Sequence, residues 1–236
     1  MTKLMRTDAR LLFAGFMALV IAVSGCAKKF DSADGQFIVV NASAGLGAID
    51  IYLDNVKFNA TPISYPNNSG YKPVAMGMHL LEAKESGLSA SLSQGNLNVI
   101  GNANQSLFFY GSPGSLHAFA VTDDYPYSFD TTKAYVRFFH LSSGTTSLNL
   151  GTTNGVNFQP VYDDRKFDTN DSAVVHSQYK LMAPGSYSFV VKEYGANTGY
   201  DTLPAALAAG KLYTIYSHGI SGSPATPVKI SLIQNN

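Results

Sequence analysis

Short segments of apolar or alternating residues run through this chain, separated by clusters of Gly, Asn, Ser and Pro. Phe37–Val40 is continuously apolar, which is typical of a buried strand, whereas Ile49–Leu53 alternates and places every second side chain on one face. Asp54 and Asn55 then form a turn that predicts a returning strand. The segments that we interpret as strands by these criteria are 37–40, 49–53, 56–58, 79–84, 107–110, 117–121, 136–140, 213–216 and 228–232.

Helical spacing of apolar residues is not found after Val23. The nearest candidate is Leu203–Ala209, which is short and ends at Gly210, and we interpret it as a strand. Aromatic and β-branched residues broken by turn residues about every 8 to 12 positions predict an all-β sandwich or barrel.

The apolar run at the start of the chain has a different character. Lys3, Arg6 and Arg10 precede an apolar stretch, Leu11–Val23, whose length of about 13 residues is too short to cross a bilayer. This pattern is typical of a secretory signal peptide. The residues Val23–Cys26 resemble the lipobox of bacterial lipoproteins, in which the cysteine is lipidated and the peptide is cut before it. The alternative is a cysteine that happens to end an ordinary cleavable signal.

Lipidation decides several other properties. Cys26 is the only cysteine, so the chain has no internal disulfide, and a lipidated thiol is neither a nucleophile nor a metal ligand. Residues 26–35 are interpreted as a polar tether. Ala27 is not the aspartate that retains enteric lipoproteins in the inner membrane, so we expect an outer-membrane address, with the cell surface and the periplasmic face both open.

Charge excludes one class of partner. The chain has 16 basic and 16 acidic residues, and removal of residues 1–25 takes away three basic residues and one acidic residue. The mature chain is therefore close to neutral and slightly acidic. Such a chain has no electrostatic footprint for nucleic acid.

Two parts of the chain repeat each other. Ala75-x-Gly77 matches Ala183-x-Gly185 at an offset of 108, and Ala42–Gly45 matches Leu141–Gly144. A spacing of about 100 residues indicates a domain duplication rather than a solenoid. We therefore predict two tandem antiparallel β-sandwich domains after the signal peptide. The predicted segments are the signal peptide 1–25, the tether 26–35, domain 1 at 36–125, a linker at 126–133 and domain 2 at 134–236.

These motifs resemble a bacterial envelope family, domain of unknown function 4397. The opening strand ending in Asn41-Ala42-Ser43, the segment Ala48–Asp54, the turn Ala183–Tyr187 and the strand Ala209–Thr214 fit its signature. Asn55 in place of the turn glycine departs from it. The resemblance covers most of residues 36–236 and implies an immunoglobulin-like sandwich on a secreted or lipid-anchored protein. It implies no activity, cofactor or ligand.

Catalytic and metal-binding signatures are missing from the sequence. There is no nucleophile elbow, no His-Glu-x-x-His and no phosphate loop, and the five histidines are scattered singly through predicted strands. The densest group of oxygen ligands, Asp163–Asp171, resembles a calcium loop in composition, but Arg165 and Lys166 interrupt it and favour a solvated loop. We predict no catalytic residue, no metal and no cofactor.

Two sets of residues remain as candidates for contact or modification. Four tyrosines in polar loops could stack on sugars or anchor a protein partner, with packing between the domains as the alternative. These tyrosines are Tyr65, Tyr71, Tyr125 and Tyr127. Four Asp-Ser/Thr-x segments resemble the O-glycosylation sequon of bacteroidetes, with the acceptors Ser32, Thr131, Ser172 and Thr202.

The sequence therefore favours a non-enzymatic, lipid-anchored envelope protein that serves as an adhesion, scaffold or glycan-contacting module. Its predicted partners are the membrane, through the lipid, and a glycan or an envelope or host protein. A periplasm-facing accessory subunit of an outer-membrane complex is the alternative, and a hydrolase is the third hypothesis.

Overall fold

Sixteen strands and one short helix account for most of the structure, a computed structural model that describes residues 33–126 and 128–235. Residues 35–122, here called the first half, contain eight strands. These are β1 Gly35–Ser43, β2 Ile49–Leu53, β3 Val56–Lys57, β4 Lys72–Val74, β5 Gly77–Glu85, β6 Ser91–Val99, β7 Asn104–Ser112 and β8 Ser115–Thr122.

Residues 134–234, the second half, contain the other eight strands and the helix. These are β9 Ala134–His140, β10 Ser147–Thr153, β11 Phe158–Lys166, α1 Asn170–His176, β12 Lys180–Met182, β13 Gly185–Glu193, β14 Gly199–Leu207, β15 Leu212–His218 and β16 Lys229–Gln234. The all-β class is confirmed, and so is the interpretation of Leu203–Ala209 as strand, since most of it lies in β14.

Each half consists of two four-stranded sheets. In the first half the orders are β4-β1-β7-β8 and β3-β2-β5-β6, and in the second half they are β12-β9-β15-β16 and β11-β10-β13-β14. The two halves therefore share one strand order. Because β1 pairs with β7 and β9 with β15 in parallel, the sheets differ from the purely antiparallel set expected. A long connection through the other sheet permits such parallel pairing.

An apolar core lies between the two sheets of each half. In the first half Ile49, Ile51 and Leu53 point inward from β2, as their alternation predicts, and pack with Phe37 and Phe109. In the second half the corresponding core is built around Leu148, Leu150, Phe189, Val191 and Ile215. In strands with one buried face, such as β5 and β13, this alternation fixes the register.

A third apolar cluster joins the halves. Phe108, Phe119 and Val121 from the first half pack against Phe139 and Tyr216 from the second. The two halves consequently belong to one compact unit. Their division into separate domains with a linker at 126–133 stays a prediction.

The helix α1 was not expected from the sequence. Its N-terminus is capped by the hydroxyl of Thr169, with Ser172 completing a capping box, and only Ala173 is buried. One buried residue in seven cannot produce a helical period. Among the described residues no helix is long and apolar enough to span a membrane.

Candidate functional site

A buried ion pair fixes the junction between the halves. Arg137 is fully buried, and its Nη2 donates to the carboxylate of Asp123. Its Nε donates to Thr214 Oγ1 at 2.8 Å, and Tyr71 Oη donates to Asp123 Oδ2 at 2.6 Å. Tyr71 lies in the first half, and Asp123 directly follows that half and donates its N–H to Asn104 O of β7 at 2.7 Å. Because Arg137 and Thr214 lie in the second half, this network holds the halves in one arrangement.

The predicted contact tyrosines separate into two groups. Tyr71 and Tyr65 are half-buried at the junction, where Tyr65 Oη lies 2.7 Å from His218 Nδ1. Burial, with the negative charge of Asp123, raises the pKa of Tyr71, and burial alone raises the pKa of Tyr65 to about 12. Tyr125 is 46% exposed and packs edge-on against Phe129. Tyr127 lies outside the described residues.

The proposed modification sites also differ in accessibility. Thr131 and Thr202 are exposed, whereas Ser172 is half-buried and its hydroxyl donates to Asp168 Oδ1 at 3.0 Å. Ser172 is therefore occupied by the cap of α1. Ser32 and the predicted lipidation site, Cys26, lie outside the described residues.

The Asn/His-x-Ser motif that ends the first strand of each half has a structural role. Asn41 Oδ1 accepts from the N–H of Ser43 at 3.1 Å, and its Nδ2 donates to Ile63 O at 2.9 Å. In the second half His140 Nδ1 accepts from the N–H of Ser142 at 3.3 Å. Both side chains thus cap a buried turn.

A cleft of about 230 Å³ lies where the halves meet, and we call it the junction cleft. Its residues are Gly111, Ser112, Ser115 and His117 from the first half and Ser143, Gly144, Thr145 and Phe167 from the second. The half-buried ring of Phe167 lies against Tyr110 and His117, with ring centroids 5.5 and 6.0 Å apart. Apart from His117, none of these residues is ionisable.

One hydroxyl–imidazole pair occurs in the junction cleft. Ser115 Oγ lies 3.2 Å from His117 Nε2, and both residues are exposed. A hydrolytic triad also needs an acid that orients the imidazole, and no carboxylate is among the described residues lining this cleft. The pair can therefore bind a hydroxyl group, and it lacks the third member that nucleophilic catalysis needs.

A second cleft, of about 460 Å³, lies at the open edge of the first half, beside α1 of the second half, and we call it the edge groove. Its walls are Ser93–Leu97 of β6 and Ala118–Ala120 of β8, with Leu81 and Leu107 at its base and Asn170 and Val174 of α1 at one side. Since side chains alternate across a strand, a wall of consecutive residues includes the backbone edge of that strand. None of these lining residues is charged.

The acidic segment Asp163–Asp171 does not form a single loop and is divided between β11, a connection and α1. Asp163 and Asp164 belong to β11, whereas Asp168 is fully buried, and its carboxylate accepts from the N–H of His140 at 2.7 Å and from Ser172. His176 Nδ1 lies 2.6 Å from the same carboxylate. No group of three or more His, Cys, Asp or Glu side chains in the described chain is placed to hold a metal ion.

Sequence reasoning missed both clefts. Phe167 lies inside the acidic segment Asp163–Asp171, where the sequence pattern indicates no binding role, and His117 stands alone in a predicted strand. The one available signal was an aromatic residue in an otherwise polar loop. The edge groove left no signal because β6 itself, Ser91–Val99, was not predicted.

Comparisons with known proteins identify a family. A family model described as "Domain of unknown function (DUF4397)" matches residues 35–151, which confirms the family predicted from the motifs. The match does not extend to the motifs at 183–187 and 209–214, so a second copy of the domain stays a prediction. No curated protein matches the chain.

Two solved structures are weakly similar. One is a carbohydrate-binding module of family CBM26 from Eubacterium rectale Amy13K in complex with maltoheptaose, at 12% identity and a TM-score of 0.28, covering 85% of this chain and 97% of the other. The other, a candidate cell adhesion protein from Bacteroides eggerthii, is 10% identical with a TM-score of 0.21, covering 86% and 96%. Likenesses at these TM-scores carry no argument about fold or function.

Proposed function

This chain belongs to the DUF4397 family, and we propose that it is a non-enzymatic, lipid-anchored module of the bacterial envelope that contacts a neutral glycan. The observation that supports glycan contact is the junction cleft, which combines an aromatic ring with several hydroxyl groups and carries no carboxylate, lysine or arginine. Sugars have apolar faces that stack on rings and hydroxyls that exchange hydrogen bonds with polar side chains.

The ligand class follows from size and charge. A volume of about 230 Å³ lies below the range of about 300–1,000 Å³ typical of drug-sized ligands, which suits a single sugar ring at the end of a glycan. Phe167 would supply the stacking surface, and Ser112, Ser143 and Thr145 would supply hydrogen bonds. An anionic sugar would find no lysine or arginine among the described lining residues.

The proposed address rests on the sequence. Lipidation of Cys26 would anchor the mature chain to the outer membrane, since each buried lipid methylene contributes about 0.8 kcal/mol and several chains make the attachment durable. Thr131 and Thr202, which are exposed, are the better candidates for O-glycosylation. Replacement Cys26→Ala should release the folded protein from membranes, as measured by fractionation and blotting, and membrane retention of that variant would contradict the anchor.

Glycan contact is tested on an array of neutral and anionic glycans. The full chain carrying Cys26→Ala serves as the parent protein, and its binding to neutral glycans should fall at least about tenfold on Phe167→Ala, because stacking of this kind contributes about 1–3 kcal/mol. Since Phe167 also packs on Tyr110, a second variant, Ser115→Tyr, fills the cleft at an exposed position. Val156→Ala, at an 88% exposed residue, is the matched control. Undiminished binding by both cleft variants would refute the proposal.

A periplasm-facing accessory subunit is the second candidate function, and a separate observation favours it. The edge strands β6 and β8 of the first half lie open beside the edge groove, and open strand edges bind protein partners. Protease shaving of intact cells distinguishes the two. Loss of the mature chain would support surface display, and digestion only after lysis would support the accessory subunit.

A further inference from the structure

The two halves can be superposed residue by residue through their strand registers. In the first half Leu81 pairs with Gly95, and in the second half Phe189 pairs with Leu203, so Gly95 is equivalent to Leu203. Likewise Leu107 pairs with Ala120, and Ile215 pairs with Leu232, so Ala120 is equivalent to Leu232. Phe109 pairs with Ala118 as Ser217 pairs with Ile230. The inner positions of β6 and β8 in the first half are therefore Gly95, Ala118 and Ala120, where the second half has Leu203, Ile230 and Leu232.

This substitution pattern creates the edge groove. In the second half Leu203, Ile230 and Leu232 belong to or pack against the core cluster and fill the gap between β14 and β16. In the first half the equivalent positions carry almost no side chain, and a Cβ added at Gly95 would meet no atom within 4 Å. The groove is thus a missing apolar layer in a sandwich that has the same strand order as the second half.

The edges of the two halves also differ in how they resist pairing. In the second half, β14 carries Pro204, β16 carries Lys229, and Asp201 Oδ2 accepts from the N–H of Ile230 at 3.0 Å, so the two edges are blocked and tied together. Proline and charged residues on edge strands are the usual protection against pairing with another strand. β6 and β8 contain no proline and no charged residue.

The register shows which backbone groups face the opening. Asn96 stands opposite Leu80 as Pro204 stands opposite Ser188. Proline cannot donate to a ladder, so position 204 must direct its nitrogen away from β13, and by equivalence the N–H of Asn96 points away from β5. In agreement, the carbonyl of Asn98, two residues on, accepts from Gln105 on that same side. Within the described chain, the N–H of Asn96 donates to no other element.

We infer that the edge groove is a docking site for one extended strand of a partner protein, which pairs with β6 and inserts apolar side chains between the two sheets. Three observations converge on this occupant: an unblocked backbone edge, an absent apolar layer directly beside it, and a lining without charge. Backbone hydrogen bonds supply affinity in such pairing, and pockets for alternate side chains supply specificity. The partner segment therefore carries small or medium apolar residues at every second position and no charged residue on that face.

The test uses a synthetic peptide of alternating valine and threonine, equal in length to β6, with a lysine at each end for solubility. A control peptide has proline at its central position, which removes a donor and disfavours pairing. The full chain with Cys26→Ala is titrated with each peptide by fluorescence polarisation, and hydrogen exchange locates the contact. Binding of the first peptide, with slowed exchange at Gln94 and Asn96, is the expected result.

Two variants introduce residues of the second half at the equivalent positions of the first half. Asn96→Pro installs the proline of β14 and removes one edge donor, so binding should fall about tenfold, the effect of losing one well-placed hydrogen bond. Gly95→Leu with Ala120→Leu fills the groove and should abolish binding even if the proline variant does not fold. Ala206→Leu, at an exposed position of β14, is the matched control and should bind normally.

Three outcomes would overturn the inference. Equal binding by the filled variant, or equal binding by the control peptide, would place the contact elsewhere. A concentration-dependent dimer of the parent protein that Asn96→Pro abolishes would make a second copy of this chain the occupant. Glycan binding at the junction cleft involves other residues, so its success or failure is scored independently.

Discussion

The two halves have the same strand order, but their sheet edges differ: the edge between β14 and β16 is closed, and the edge between β6 and β8 is open. In the second half Leu203 of β14 and Leu232 of β16 both pack against the core cluster, and the hydrogen bond from the N–H of Ile230 to Asp201 ties these strands. In the first half the same positions are Gly95 and Ala120, and the gap remains open as the edge groove. Strand order is identical, so the side chains of the edge strands decide whether the edge is core or site, through their volume and through the blocking residues Pro204 and Lys229.

This comparison also explains the distribution of stability. Apolar side chains that close both edges of a sandwich raise its free energy of unfolding, because they bury apolar surface. The first half buries less apolar surface at β6 and β8, so it gains less stability there. It is stabilised partly by contacts with the second half, namely the shared cluster around Phe108 and Phe139 and the Arg137–Asp123 pair. A surface that sacrifices burial in this way is expected to have a binding role.

Opening the closed edge should have the largest effect. The double substitution Leu203→Ala and Leu232→Ala gives the second half small residues at the positions where the first half has them. It removes the packing of two half-buried leucines, so the free energy of unfolding should fall by about 4 kcal/mol. Chemical denaturation of the full chain measures this change. The exposed Thr202→Ala on the same strand should stay within about 0.5 kcal/mol of the parent. A loss below about 1 kcal/mol would show that these leucines do not seal the edge.

Acid should expose a second difference between the halves. Burial, with the positive charge of Arg165, lowers the pKa of His140 to about 3, and burial lowers that of His218 to about 4. Below pH of about 6.5 the unfolded chain binds protons that the folded histidines exclude. Stability is therefore lost as pH falls from about 6.5 toward about 4, by about 2–3 kcal/mol per histidine between about pH 6.5 and 4.5.

The first half supplies the control for this acid effect. Its residue equivalent to His140 is Asn41, which caps the same turn without titrating in this range. His140→Asn should consequently flatten the pH dependence of unfolding while preserving the cap. Thermal unfolding followed at several pH values decides the matter, and an unchanged slope would show that His140 is not the acid-sensitive group.

Closing the open edge should have the smallest effect. Gly95→Leu with Ala120→Leu adds apolar contact in the groove and removes a glycine from a strand, which should raise the free energy of unfolding by about 1 kcal/mol. Denaturation of this variant beside the parent measures the gain. A marked destabilisation would mean that the groove is too narrow for the side chains that its counterpart contains.

Local pattern predicted the well-buried strands and missed the irregular ones. Phe37–Val40 and Ile49–Leu53 were found because one or both faces are buried and the side-chain period is two. β6 was missed because its inner positions include Ser93 and Gly95, which leave no alternation to read. The same small residues that form the groove therefore hid the strand.

Long-range contacts explain the remaining differences. Tyr65 and Tyr71 stand in polar loops, yet their hydroxyl partners, His218 and Asp123, lie 153 and 52 residues away. No local pattern records such pairing. The junction cleft is likewise formed by residues from both halves, and Phe167 becomes part of a candidate site only because the fold places it next to His117.

The most direct test of the open edge is an NMR titration of the isotope-labelled full chain, carrying Cys26→Ala, with the alternating valine–threonine peptide. Amide shifts should move in β6 and β8, centred on Asn96 and Ala118–Ala120, while those of β14 and β16 stay in place. Equal movement in β14 and β16, or no movement at Asn96, would contradict the claim that the two halves differ in function at this edge.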